Sequence, residues 1–98
     1  MAYDIEIKQA SSNGYFTPEQ SRAYYGRYAR VEYCVHWWGD NAQEDKHDGT
    51  VNYMLAQAQA GNKSCNYVLS DNKITLLVGP DYVAWCQESG NAVGISVE

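Results

Sequence analysis

The run from Val31 to Trp38 constrains this chain more than any other stretch. It is almost continuously apolar around Cys34 and Val35. A strand of that kind is stable when both of its faces are covered. The pattern therefore predicts a central strand in a sheet with helices packed on it. The run ends in His36-Trp37-Trp38-Gly39-Asp40, and the carboxyl end of a buried strand is where α/β proteins place working groups.

The flanking segments supply the other layers. Tyr3 to Lys8 alternates with Tyr3, Ile5 and Ile7 on one side, which predicts a short edge strand with one wet face. Ser11-Ser12-Asn13-Gly14 is a turn cluster. Thr17, Pro18 and Gln20 form a capping box with proline at the first helical position, and Gly26 closes the short helix. The tyrosines of that helix region, Tyr24, Tyr25 and Tyr28, either pack against the sheet or form a contact patch. A second helix is predicted from Asp48 as its cap. Its stripe Val51, Met54, Leu55 and Ala58 falls at i, i+3, i+4 and i+7, with Gly61 as the stop. Cys65 to Ser70 and Lys73 to Val78 read as a hairpin around Asp71-Asn72. A short apolar segment, Tyr82 to Trp85, and a last strand, Val93 to Val97, complete the order β-α-β-α-β-β-β. This is an α/β mixed sheet flanked by helices, in a single domain spanning residues 1–98.

A chain of 98 residues buries roughly 60–70% of its unfolded surface, enough for one core. The net charge of −5 argues against a nucleic-acid partner, which requires clustered Lys and Arg. No apolar run approaches the ~20 residues of a membrane span, and the start lacks a secretory pattern. The expectation is a cytoplasmic protein without a membrane partner. Cys34, Cys65 and Cys86 are odd in number and widely spaced, so they read as buried thiols rather than a disulfide framework or zinc knuckle.

Five fragments in order carry a resemblance. They are His36 to Asp40, Asp48 to Leu55, Ser64 to Leu69, Pro80 to Trp85 and Val93 to Glu98. Together they resemble the zinc-dependent N-acetylmuramoyl-L-alanine amidases of the peptidoglycan-recognition type, above all phage endolysins, over about residues 31–98. The resemblance implies a mixed sheet flanked by helices, here in a truncated form, and it aligns His36 with a zinc ligand. Two further ligands of the family, downstream of the last strand, have no counterpart before Glu98. Asn66 stands where a histidine is common, and Cys86 replaces another.

Catalytic zinc takes about three protein ligands plus a water. A four-ligand cage of His36, His47, Cys65 and Cys86 is not expected, because Cys65 and Asn66 should point to opposite faces of one strand. The acidic residues Asp40, Glu44 and Asp45 read as solvation of a polar loop. The expectation is no cofactor, with zinc on His36, and on Cys86 as a lesser candidate, if the site is completed.

Three functions stay open. One is a non-catalytic descendant of the fold that binds a host protein, as a phage-encoded inhibitor or modulator would. Its contact residues are Tyr24, Tyr25 and Tyr28, since Tyr and Arg are favoured at hot spots. The second is an active amidase, or a fragment of one, hydrolysing peptidoglycan. The third is retained sugar or peptide binding without cleavage. Trp37, Trp38, Asn66 and Trp85 are further candidate binding residues, the tryptophans reading mostly as core with one lining an old groove. An open sheet edge also predicts a homo-oligomer.

Overall fold

The computed structural model describes residues 4–35, 46–70, 73–86 and 88–98. Seven strands and two helices follow one another: β1 (Asp4–Ile7), β2 (Tyr15–Phe16), α1 (Pro18–Tyr25), β3 (Glu32–Val35), α2 (Lys46–Gln59), β4 (Tyr67–Leu69), β5 (Lys73–Leu76), β6 (Val83–Ala84) and β7 (Gly94–Val97). Short 3₁₀ turns lie at Ser12–Gly14 and Glu88–Ala92. The order agrees with the sequence expectation, with the small strands β2 and β6 added.

Local chemistry explains both helices. At the start of α1 the Thr17 hydroxyl accepts from the Gln20 N–H at 3.2 Å, and the Gln20 side chain accepts from the Thr17 N–H at 2.8 Å. Gly26, at φ 78°, ends it in the left-handed conformation that glycine adopts without strain. In α2 the predicted stripe faces inward, with Val51, Met54 and Ala58 fully buried and Leu55 packed against them. Asp48 lies within the first turn instead of capping the helix, because the helix begins at Lys46. Near its end α2 lies against the first 3₁₀ turn: a Cβ on Gly14 would stand 2.5 Å from the Ala58 Cα.

Five strands form one sheet in the order β1-β5-β4-β7-β3, and β2 pairs with β6 in a separate ribbon. The β1–β5, β4–β7 and β7–β3 ladders are parallel, and β4–β5 is the antiparallel hairpin. The turn predicted at Asp71-Asn72 lies outside the described residues, and the hairpin closes around it through Ser70 N–H to Lys73 O. The strand expected at the centre, β3, is instead an edge strand of four residues.

Register sorts the sheet into two faces. The inner face carries Glu6, Thr75 and Val68 in one row and Ser96 beside Cys34 in another. Helix α2 lies on this side, where His47 bonds Thr75. The outer face carries the row Ile7–Leu76–Tyr67–Val97–Val35, one residue from each strand. Ile5–Ile74–Leu69 and Ile95–Tyr33 lie beside it. Ile5 is 75% exposed and Val35 72% exposed, so the cover predicted for both faces of β3 is not found on this face among the described residues. The wet face of β1 is likewise the isoleucine side. Glu6 turns inward because Thr75 and Lys73 bind its carboxylate there.

Candidate functional site

The chain leaves β6 at Trp85 and Cys86, which line a cavity of about 380 Å³ with Asn62, Lys63 and Asn91. Ser64 positions this corner. Its hydroxyl donates to Gly14 O at 2.6 Å and accepts from the Trp85 N–H at 3.0 Å, while its own N–H reaches Trp85 O. Asn91 acts from the other side. Its amide oxygen accepts from the Cys86 N–H at 2.9 Å, and its amide nitrogen donates to the Tyr25 hydroxyl at 2.9 Å.

An aromatic ridge runs away from the cavity. Trp85 meets Phe16 edge-on at 4.9 Å, and Phe16 touches Tyr24 at 5.3 Å and Tyr25 at 5.9 Å. Tyr24 and Tyr25 are T-shaped at 5.0 Å. These are favourable edge geometries, and they hold Tyr24 in place although it is 74% exposed. The structure thus unites three of the expected binding residues, Tyr24 and Tyr25 on α1 and Trp85 just after β6, through Phe16 of β2 rather than on the main sheet. Tyr28 is not part of the ridge. Its ring lies between the guanidinium groups of Arg22 and Arg30, and its hydroxyl donates to Asp81 O at 2.6 Å.

Arg30 was not singled out by sequence, yet it ties this side of the molecule together. Its guanidinium donates to the carbonyls of Ala29, Pro80, Tyr82 and Asn91. Burial lowers its pKa, opposed by the neighbouring Tyr28 and Asp81. The only local hint was its place in the polar Arg27 to Arg30 stretch before β3.

Beside the cavity the Cys86 thiol donates to Glu98 Oε1 at 2.7 Å. Burial, then the hydrogen bond and charge of Glu98, push the thiol up to about 12. The shift disfavours the thiolate, and with it nucleophilic attack, in the metal-free chain. Cys65, in the core, is raised by burial as well, and no cysteine is in a disulfide. Glu98 is nearly buried. Its Oε2, like the Trp85 Nε1, has no hydrogen-bond partner among the described residues.

Asn66 is fully buried and spent on structure. Its amide nitrogen faces the carbonyls of Val78, Gly79 and Tyr82, and its amide oxygen accepts from the Ser96 N–H at 3.0 Å. The side chain thus joins β4, β7 and the turn before β6, and it presents no atom to a groove. His36, Trp37 and Trp38 lie outside the described residues, as do Asp40, Glu44 and Asp45.

Zinc can be tested against the donors present. Cys86 and Glu98 touch each other, and together they supply two donors where catalytic zinc takes about three. A second group, Glu6, His47 and Asp48, has ligand atoms within 4.8 Å of one another. Sequence spacing could not have paired Glu6 with His47, and only the adjacency of His47 and Asp48 was a signal. There the Lys73 ammonium already stands 2.9 Å from Asp48 Oδ1 and 3.4 Å from Glu6 Oε1. It supplies the positive charge that a metal would bring. Thr75 donates to Glu6 at 2.7 Å, so the His47 Nε2, 2.8 Å away, is assigned as the donor to Thr75. Lys73 holds both carboxylates of this group, while the His47 Nδ1 is buried without a hydrogen-bond partner among the described residues. Neither donor set fits catalytic zinc by itself.

No protein-family model matches the chain, and no curated protein matches it. Among solved structures it is similar to the hydrolase AmiA of Staphylococcus aureus, determined in complex with its ligand, with a TM-score of 0.66 and 23% identity. The match covers 100% of this chain and 44% of AmiA, so the chain spans less than half the length of that hydrolase. At this identity the likeness is one of fold: a mixed sheet with helices, amidase-like in arrangement. None of the described helices is long and apolar enough to cross a membrane.

Proposed function

We propose that this chain is an amidase-fold binding module that recognises a protein partner through the aromatic ridge at Tyr24, Tyr25 and Trp85. The observation that carries this reading is Tyr24, a large ring held by two aromatic neighbours yet 74% exposed. A ring already fixed in place loses little conformational freedom on binding, which is what makes tyrosine effective at hot spots. Residues that the resemblance assigns to hydrolysis serve other purposes here: Asn66 braces the interior and Cys86 is a hydrogen-bonded thiol. The finer reading, a phage-encoded inhibitor or modulator of a host factor in the cytoplasm, rests on the endolysin resemblance. Affinity capture from a host lysate should return one dominant partner, and Tyr24→Ala should weaken that binding by tenfold or more, a loss of about 1.4 kcal/mol. Equal recovery by the variant refutes the ridge.

A second reading is favoured by the likeness to a hydrolase along the whole chain. It is a zinc-dependent N-acetylmuramoyl-L-alanine amidase, or part of one, acting on peptidoglycan. Elemental analysis separates the two. About one zinc per chain, lost in His36→Ala, together with release of soluble fragments from purified cell walls, would establish the enzyme and displace the binding module.

A further inference from the structure

Among the described residues no helix packs on the outer face of the five-stranded sheet, although Ile95 there is buried. Its register positions are Ile5 and Ile7 on β1, Ile74 and Leu76 on β5, Tyr67 and Leu69 on β4, Ile95 and Val97 on β7, and Tyr33 and Val35 on β3. None of the ten carries a charge. Val31, in step with Tyr33 and Val35, extends the surface and is 72% exposed. Edge positions are the most open, with Ile7 at 71% and Tyr33 at 70%, and Leu69 is 48% exposed. Five of these residues, Ile5, Ile7, Val31, Tyr33 and Val35, are each at least 70% exposed, and a contiguous exposed apolar surface of this kind marks an interaction site.

We infer that this face is the contact surface for a second copy of the chain, in a two-fold dimer with the two sheets packed face to face. A mostly parallel sheet is normally covered on both sides, and among the described residues α2 covers only one. The occupant must be uncharged, apolar and of equal extent, and each copy presents such a surface at the same concentration as the other. An isologous pairing buries both faces in a single contact. Sheets stack in this way about 10 Å apart with interleaved side chains. The net charge of −5 on each copy does not oppose the contact directly, because none of the ten register positions is charged, although Asp81 acts on one of them, Tyr67. The aromatic ridge contributes no residue to it, so this inference is independent of the proposed binding role.

Sedimentation equilibrium of the full 98-residue chain tests the inference. A dimer of twice 11.0 kDa is expected at micromolar concentration. Ile7→Lys and Val35→Lys sit at opposite ends of the central row and are already exposed, so both should fold, as circular dichroism will report. Each should raise the dimer dissociation constant by tenfold or more, while Tyr24→Ala leaves it unchanged. A strictly monomeric wild type overturns the inference and assigns the face to another polypeptide. So does a dimer indifferent to both lysines, or open-ended aggregation in place of a discrete species.

Discussion

The two faces of the main sheet differ in a way that runs against simple intuition. The inner face, under α2, holds the charges: Glu6, Lys73, Asp48 and His47 meet around Thr75. The outer face, open to solvent, holds only apolar and tyrosine side chains. Burial by a helix has not made one side oily, and exposure has not made the other polar. Buried polar groups are tolerated where they find partners, and here a lysine shared by two carboxylates provides most of them, with the His47 Nδ1 left without one among the described residues. Nothing comparable compensates the outer face, which is therefore the side that asks for a partner.

The contrast can be broken first where α2 meets the sheet. Met54 is fully buried in the core, and Met54→Ala should cost about 2–5 kcal/mol in chemical denaturation. A loss under 1 kcal/mol would mean that α2 is not the cover it looks to be. Next comes the buried polar joint: Asn66→Ala removes the amide that bridges three carbonyls and Ser96. Stranding those groups should cost about 3 kcal/mol, and Asn66→Leu should do no better.

The charged network supplies a pH signature of intermediate size. Burial and then the Lys73 charge hold the His47 pKa below 6.5, against the opposing pull of Asp48 and Glu6. The folded state therefore binds its proton less readily than the unfolded chain. That contribution is complete above pH 6.5 and declines as the pH falls below it. Glu6 is lowered from 4.5, first by the Thr75 hydroxyl, and Asp48 from 3.8, first by Lys73. Their contributions are lost in the same direction at lower pH. Denaturation midpoints should fall steadily on acidification, and His47→Gln should flatten the upper part of that curve alone. An unchanged curve would remove His47 from the network.

The smallest effect is expected on the bare side. Ile5→Ser, at a residue 75% exposed, should leave the stability of the isolated fold within about 0.5 kcal/mol. A large loss, measured at a dilution where the chain is monomeric, would show that the outer face is already covered.

Much of the secondary structure was legible because its causes are local. The capping box of Thr17 and Gln20, the glycines after each helix and the four-residue stripe of α2 each act within a turn or two. The hairpin was legible for the same reason. The aromatic ridge was half legible: Tyr24 and Tyr25 stood out as a pair, but nothing in their spacing linked them to Trp85. That link passes through Phe16 on a two-residue strand too short to announce itself. Asn66 showed as a departure from a family pattern, and only its four partners reveal it as a brace.

By itself the sequence determined which segments are strands and helices, and that they build a mixed α/β domain. Tertiary structure alone decided the neighbours. It set β3 at an edge, turned the isoleucines of β1 outward, and brought Thr75 within 2.7 Å of Glu6 across 69 positions of chain. The physical reason is one of range. Backbone preference and capping are settled between residues a few positions apart. Strand order and the choice of buried face are settled by packing between segments that alternation alone treats as equivalent.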